Sequence, residues 1–155
     1  MKKILILLSC LFAGTSAFAQ NRLGANFGAS RSALNLGVTY DAADSTGSGG
    51  GHFLFQSEKS SSGIPGLMSF AGHIKMNLLE QNKFSFDAYP GAGIHIFKSN
   101  ASDKATVGPS LRLRAAYRLS NGVEIGIDHI DVYNWLDENA PANATLTALV
   151  FKLKI

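Results

Sequence analysis

The stretch Ser110 to Asp128 constrains the fold most, because two alternating segments flank one tight turn and their charges fall into register. In the first segment Leu111, Leu113, Ala115, Tyr117 and Leu119 share one face, and Ser110, Arg112, Arg114, Ala116 and Arg118 share the other, since strand side chains alternate with a period of two. In the second, Val123, Ile125 and Ile127 alternate with Glu124, Gly126 and Asp128. Opposed residues of an antiparallel pair point to the same face, so the pairing sets Leu119 against Val123 and leaves Ser120-Asn121-Gly122 as a three-residue loop ending in glycine. That register predicts Arg118 opposite Glu124 and Arg114 opposite Asp128. One face is apolar and the other carries matched ion pairs.

Alternation alone does not say which face is inside. A soluble barrel hides the apolar face, whereas a membrane barrel turns it to lipid. Gly24, Gly28, Gly37, Gly91, Gly93 and Gly126 all fall on the polar faces of predicted strands. Glycine weakens a strand, but a narrow barrel interior needs small residues beside long Arg and Lys side chains. The charged face is therefore expected inside, and the greasy one against lipid.

The first residues agree with export. Met1-Lys2-Lys3, an apolar run and Ala17-Phe18-Ala19 before Gln20 have the form of a secretory signal, so residues 1–19 are expected to be removed and 20–155 to form one domain. A competing reading takes Leu7-Leu8-Ser9-Cys10 as a lipoprotein box, but the apolar run before Ser9 is short for one. Cys10, the only cysteine, leaves with the signal, so no disulfide is expected in the mature chain. Without Lys2 and Lys3 the charge falls from +3 to +1, 12 basic residues against 11 acidic, and gives no argument for nucleic acid. No later apolar run approaches the roughly 20 residues of a membrane helix. A membrane form of this chain must be a closed barrel.

The remaining segments repeat the alternation. Strands are predicted over Arg22 to Ser30, Ala33 to Asp41, His52 to Glu58, Leu67 to Leu79, Lys83 to Phe97 and Thr145 to Ile155, which with the hairpin make eight. The expected fold is all-β: an eight-stranded antiparallel up-and-down transmembrane β-barrel. Loops are predicted at Arg31-Ser32, Asp44 to Gly51, Lys59 to Gly66, Ser99 to Thr106 and Leu136 to Asn143. The glycines of the second lack the following lysine and helix of a phosphate-binding loop. Matching faces across Glu80-Gln81-Asn82 predicts Leu79 opposite Lys83, Lys75 opposite Asp87 and His73 opposite Tyr89. Pro90 predicts a bulge or an unpaired amide in its strand.

On these residues, with Ala88-Tyr-Pro-Gly-Ala-Gly-Ile94 and a last strand ending in apolar Ile155, the chain resembles the small outer-membrane barrels of the opacity and OmpX kind within the porin superfamily. The resemblance implies a structural, adhesive or protective role in a bacterial outer membrane. It also implies lipid and lipopolysaccharide as surroundings and recognition of the last strand by the barrel-assembly machinery. Most members end in an aromatic residue, where this chain has Ile155. A narrower similarity is to the lipid A deacylase barrels, whose catalytic His and Ser lie two apart on the penultimate strand and face lipid. Aligned on Asn121-Gly122 and Asn134, this chain has Asp131 and Tyr133 at those positions, so the motif is absent in register.

His129, Asp131 and Tyr133 continue the outward phase of the seventh strand, and a His with an Asp two residues away could act as a general-base pair, with Ser110 or Tyr133 as nucleophile. The competing reading is a bulge near Asp128 and His129 that turns these groups inward, or a strand leaving the membrane there with Tyr133 and Trp135 as interfacial aromatics. His52, His73, His95 and His129 lack the spacing of a metal motif, and His73 and His95 are expected as interior hydrogen-bonding groups. No cofactor is implied. Interior Arg112, Arg114, Arg118, Lys152 and Lys154 could favour anions, although eight strands enclose a lumen that side chains fill rather than a pore. Three functions follow: a non-enzymatic barrel with a plugged polar interior, a lipid A-modifying hydrolase near His129, and a secreted soluble barrel holding a small apolar ligand.

Overall fold

Alternation carries through almost the whole chain, and each alternating stretch pairs with the next. The computed structural model describes residues 20–30, 33–43, 48–57, 66–98, 103–136, 138 and 141–155. The expected signal with Cys10 lies outside these residues, as do Arg31-Ser32, residues 59–65 and parts of the other three expected loops. The strands are β1 (Gln20–Ser30), β2 (Ala33–Ala43), β3 (Ser48–Gln56), β4 (Gly66–Ile74), β5 (Met76–Gln81), β6 (Phe84–Lys98), β7 (Lys104–Ser120), β8 (Val123–Tyr133) and β9 (Asn143–Lys154). β4 and β5 are two halves of one strand, because both pair with β6 and keep a common register from His73 opposite Gly91 to Met76 opposite Ala88. The break lies beside Pro90, which has no amide hydrogen to give to that ladder.

Each strand is antiparallel to its neighbours in the order β4-β3-β2-β1-β9-β8-β7-β6-β5, and β4 pairs with β6 to close the ring. The result is a closed barrel of eight staves. Closure satisfies every strand edge, which an open sheet in lipid could not do. Both ends of the described barrel, Gln20 and Lys154, lie at the same mouth, together with the end of β2, the start of β3 and the turns after β5 and β7.

The faces sort as expected. Arg112, Arg114, Asp128 and Lys152 are buried in the lumen, while Leu119, Tyr117, Ile125, Ile127, Leu149, Phe151 and Leu153 are exposed on the wall. Lys154 is exposed at the rim and is not a lumen group. An apolar wall around a charged interior is the arrangement lipid selects. The interior glycines fit the close approach: a Cβ on Gly126 would run against the Ala115 carbonyl oxygen and Ala116.

Three local expectations are corrected. The hairpin turn is Asn121-Gly122 rather than a three-residue loop, with a bulge between Arg118 and Ser120; beyond it Arg118 faces Glu124 and Arg114 faces Asp128 as predicted. The β5–β6 turn is Asn82-Lys83, with Asn82 at φ 54; a bulge between Asn77 and Leu79 shifts the register by one residue, and beyond it the pairing lies two residues from the expected one. Asn77 therefore faces Asp87, and His73 faces Gly91 rather than Tyr89. Lys75 still reaches Asp87 diagonally, Nζ to Oδ2 3.4 Å. Finally, Gly49, Gly50 and Gly51 are strand rather than loop, paired with Ala42, Asp41 and Tyr40. A side chain on Gly50 would collide with the Tyr40 carbonyl and crowd Asp41, so glycine there makes room for the lumen charges.

Candidate functional site: a layered lumen and a polar patch on the wall

The lumen is built in three layers. Toward the turn end, Asp41 on β2 is the hub. Its Oδ1 accepts from Arg112 Nη2 at 3.0 Å, and its Oδ2 accepts from Arg114 Nη1 at 2.9 Å, from Tyr89 OH at 3.2 Å and from Lys152 Nζ. Asp128 supports the same two arginines, with Arg114 Nε 3.1 Å from Oδ1 and Arg112 Nε 3.5 Å from Oδ2, and accepts from Asn26 Nδ2 at 3.0 Å. The Arg112 guanidinium lies over the Tyr89 ring, 3.9 Å from its centroid. Buried charges are tolerated only when paired and hydrogen-bonded, and this cluster meets that condition for both carboxylates. Nearer the mouth Glu124 pairs with Arg22 and, at 3.6 Å, with Arg118, which also reaches Glu80 at 3.4 Å. All three expected ion pairs are thus present. Asp41, Lys152 and Arg22 complete the network, a role that local pairing alone could not assign to them.

Above the charges lies a layer of histidine and serine. His52 Nε2 and Ser69 Oγ are 2.8 Å apart, Ser69 Oγ and His95 Nδ1 2.9 Å, and His73 Nε2 and Ser110 Oγ 3.1 Å. The His52 and His73 rings pack with centroids 4.6 Å apart. Ser110 is thereby engaged inside the lumen, on the opposite face of the sheet from His129, and cannot serve as its nucleophile. Among the described residues no group of three or more His, Cys, Asp or Glu is arranged to hold a metal.

The far end of the lumen is closed by grease: Leu54, Leu67, Phe97, Ile130, Val132, Ala144 and Leu146 form one buried cluster. This layer was not anticipated. Its members alternate in phase with the polar lumen residues, so the period marked them as inward, but only the assembled barrel shows that they meet.

On the outer wall at that same end the strand phase continues through β8 without a bulge at Asp128 and His129, and Ile130 and Val132 stay inward. His129 and Asp131 therefore face outward, opposite Thr147 and Thr145 of β9. His129 Nδ1 is 2.9 Å from Thr147 Oγ1, His129 Nε2 is 3.7 Å from Asp131 Oδ2, and Thr145 Oγ1 donates to Asp131 Oδ1 at 2.7 Å. Tyr133 is exposed above them, and Trp135 is exposed just beyond the strand. Toward the turn end, the next row of the wall opens into a shallow apolar groove of about 540 Å³ lined in part by Phe27, Ala115, Ile125, Ile127, Leu149 and Phe151.

No family model matches the chain, and no curated protein matches it in sequence. Among solved structures it is similar to Neisserial surface protein A, with a TM-score of 0.59 at 12% identity over 90% of this chain and 97% of that one. It is also similar to a de novo designed transmembrane β-barrel, with a TM-score of 0.52 at 12% identity over 88% and 95%. The outer membrane enzyme PagL gives a TM-score of 0.54 at 17% identity over 86% and 99%. At these identities the likeness shows the fold: a small eight-stranded antiparallel barrel of the transmembrane kind.

Proposed function

We propose that the protein is a non-enzymatic barrel of the bacterial outer membrane, exported by its signal and acting through its wall and cell-surface loops in a structural or surface-interaction role. The observation that carries this reading is the lumen, filled by an ion-pair network toward one end and an apolar layer at the other, inside a wall of exposed Leu, Ile and Phe. The charged groups of that interior, Arg112, Arg114, Asp41 and Asp128 among them, disfavour the small apolar ligand of a soluble barrel. Lipid and lipopolysaccharide are its surroundings, and β9 is the strand offered to the assembly machinery. Membrane fractionation followed by gel migration with and without boiling tests the reading. A folded membrane barrel stays with the membrane and runs faster unboiled, whereas recovery of the mature chain in the soluble fraction overturns the proposal.

A second reading rests on one observation, that the His129 imidazole stands between the Thr147 hydroxyl and the Asp131 carboxylate above an apolar groove. A hydroxyl, an imidazole and a carboxylate in sequence are the parts of ester hydrolysis: Thr147 would attack the acyl carbon as His129 takes its proton, the ester C–O bond would break as His129 passes that proton to the departing alkoxide, and water activated by His129 would then release the fatty acid from Thr147, with Asp131 orienting the ring. The groove suits an acyl chain, and the substrate class would be an acyl ester of the outer leaflet such as lipid A. Mass spectrometry of lipid A from cells with the wild-type barrel and with His129→Ala separates the two readings. Identical spectra support the first. Loss of an acyl mass that depends on His129 establishes the second.

A further inference from the structure

His129, Asp131, Thr145 and Thr147 make a polar patch with grease around it. On β7, Leu113 stands opposite His129 and Leu111 opposite Asp131, and exposed Val107 carries the apolar wall further toward the same end. Toward the turns, the next outward residues of β8 and β9 are Ile127 and Leu149, both exposed. The patch therefore lies within the band of wall that faces hydrocarbon, where polar groups are costly unless they are hydrogen-bonded.

Its donors and acceptors do not cancel. Asp131 Oδ2 lies 3.7 Å from His129 Nε2, and a carboxylate favours the proton on the ring nitrogen that faces it. In the neutral imidazole Nδ1 is then an acceptor, and it takes the Thr147 hydroxyl hydrogen at 2.9 Å. Thr145 gives its own hydroxyl hydrogen to Asp131 Oδ1 at 2.7 Å. Every side-chain hydrogen the patch could donate is thus directed within it. Lone pairs remain on both threonine oxygens, and both threonines are exposed. Acceptors in that position call for a donor, and hydrocarbon has none.

The groove supplies the rest of the partner's shape. Ile127 and Leu149, each two residues along the strand from His129 and Thr147, line it at the patch, and small Ala115 and Gly126 keep it open beyond. Its volume of about 540 Å³ is in the range of small-molecule sites. An apolar groove that starts beside spare acceptors fits an apolar chain with a donor at its head.

We propose that patch and groove together bind one chain of a lipid whose head end carries a hydroxyl or an amide N–H, the chain lying in the groove and that hydrogen donated to Thr147 Oγ1. A chain whose head offers acceptors alone is selected against. The proposal rests on the reading of the wall as lipid-facing, and it holds with or without hydrolysis at Thr147.

The test uses the full mature chain in nanodiscs of phosphatidylcholine, whose headgroup has no hydrogen-bond donor. Threonine and isoleucine methyl groups are isotope-labelled and followed by NMR at about pH 8, where a free imidazole is neutral. The probes are matched pairs: tetradecanol with its methyl ether, and N-methyltetradecanamide with its N,N-dimethyl analogue, at equal mole fractions of the bilayer. None is an ester, so none is consumed. Each donor is expected to shift the Thr147 and Ile127 methyl signals saturably and to bind about ten-fold tighter than its methylated partner, the effect of one hydrogen bond. A preference within the alcohol pair supports a hydroxyl-bearing lipid, and one within the amide pair an N-acylated lipid. Thr147→Val should bring the members of each pair to equal affinity, and Ala115→Phe, which fills the groove, should weaken all four probes alike. Equal affinities within both pairs for the wild type overturn the proposal, as does saturable binding that leaves Thr147 unshifted. A mature chain that stays soluble without lipid or detergent overturns the membrane reading and this proposal with it.

Discussion

Arg114 and Asp41 are 73 residues apart in sequence, and their side chains meet at 2.9 Å across the middle of the lumen. β2 and β7 are separated by three staves whichever way the ring is followed, β1, β9 and β8 on one side and β3, β4/β5 and β6 on the other. The contact therefore ties opposite walls together. A carboxylate on one wall holding two guanidinium groups from the other is a cross-brace that no hairpin could supply.

Removing Asp41 should be the costliest single change in the lumen. Asp41→Ala strands Arg112, Arg114 and Lys152 together and should cost about 3–5 kcal/mol, read as a lower urea midpoint for the refolded barrel. Glu80, whose pair with Arg118 is exposed at the rim, is the control, and Glu80→Ala should stay within about 1 kcal/mol.

The orientation of the wall predicts a penalty of the opposite sense from a soluble barrel. Ile127→Arg puts a charge on the exposed apolar face and should cost about 2–4 kcal/mol for folding into lipid vesicles. If the variant folds into vesicles as well as the wild type, this face does not meet hydrocarbon.

Glycines on the two faces should respond differently. A Cβ on inward Gly93 would run into the Phe70 carbonyl and Ala71, whereas one on Gly72 meets nothing within 4 Å. Gly93→Ala should lower the folded yield in refolding assays, and Gly72→Ala should leave it unchanged.

Phe97, 1% exposed, anchors the apolar layer. Phe97→Ala should cost about 3–5 kcal/mol in the same urea titration, as large-to-small changes in packed cores do. Planar-bilayer recordings of the wild-type barrel should show no single-channel steps, because ions would have to pass this buried apolar layer.

Much of the arrangement was legible before any coordinates. The period of two identified the faces, and small interior residues such as Gly126 beside long cations chose the inward one. Arg114–Asp128 and Arg118–Glu124 followed from a turn and two strands. What failed was local where bulges intervened: Leu119 and Leu78 each drop out of the ladder, and both turns hold two residues, Asn121-Gly122 and Asn82-Lys83, where the alternation predicts three. The glycine run at Gly49 to Gly51 was misread because composition that suits a loop also suits a strand squeezed against bulky neighbours.

The lipid-facing patch was half legible. Phase alone put His129 and Asp131 outward, but their partners Thr147 and Thr145 come from β9, and nothing in β8 points to them. The same holds for the lumen hub.

The sequence by itself determined the strands, their inward and outward faces and the ion pairs within one hairpin, because these depend on a two-residue period and on neighbours joined by a short turn. Only the closed barrel decided that Asp41 gathers Arg112, Arg114 and Lys152 and that seven apolar side chains meet at one end. Those facts depend on which walls face each other across the lumen. Circular closure, not local pattern, sets that geometry.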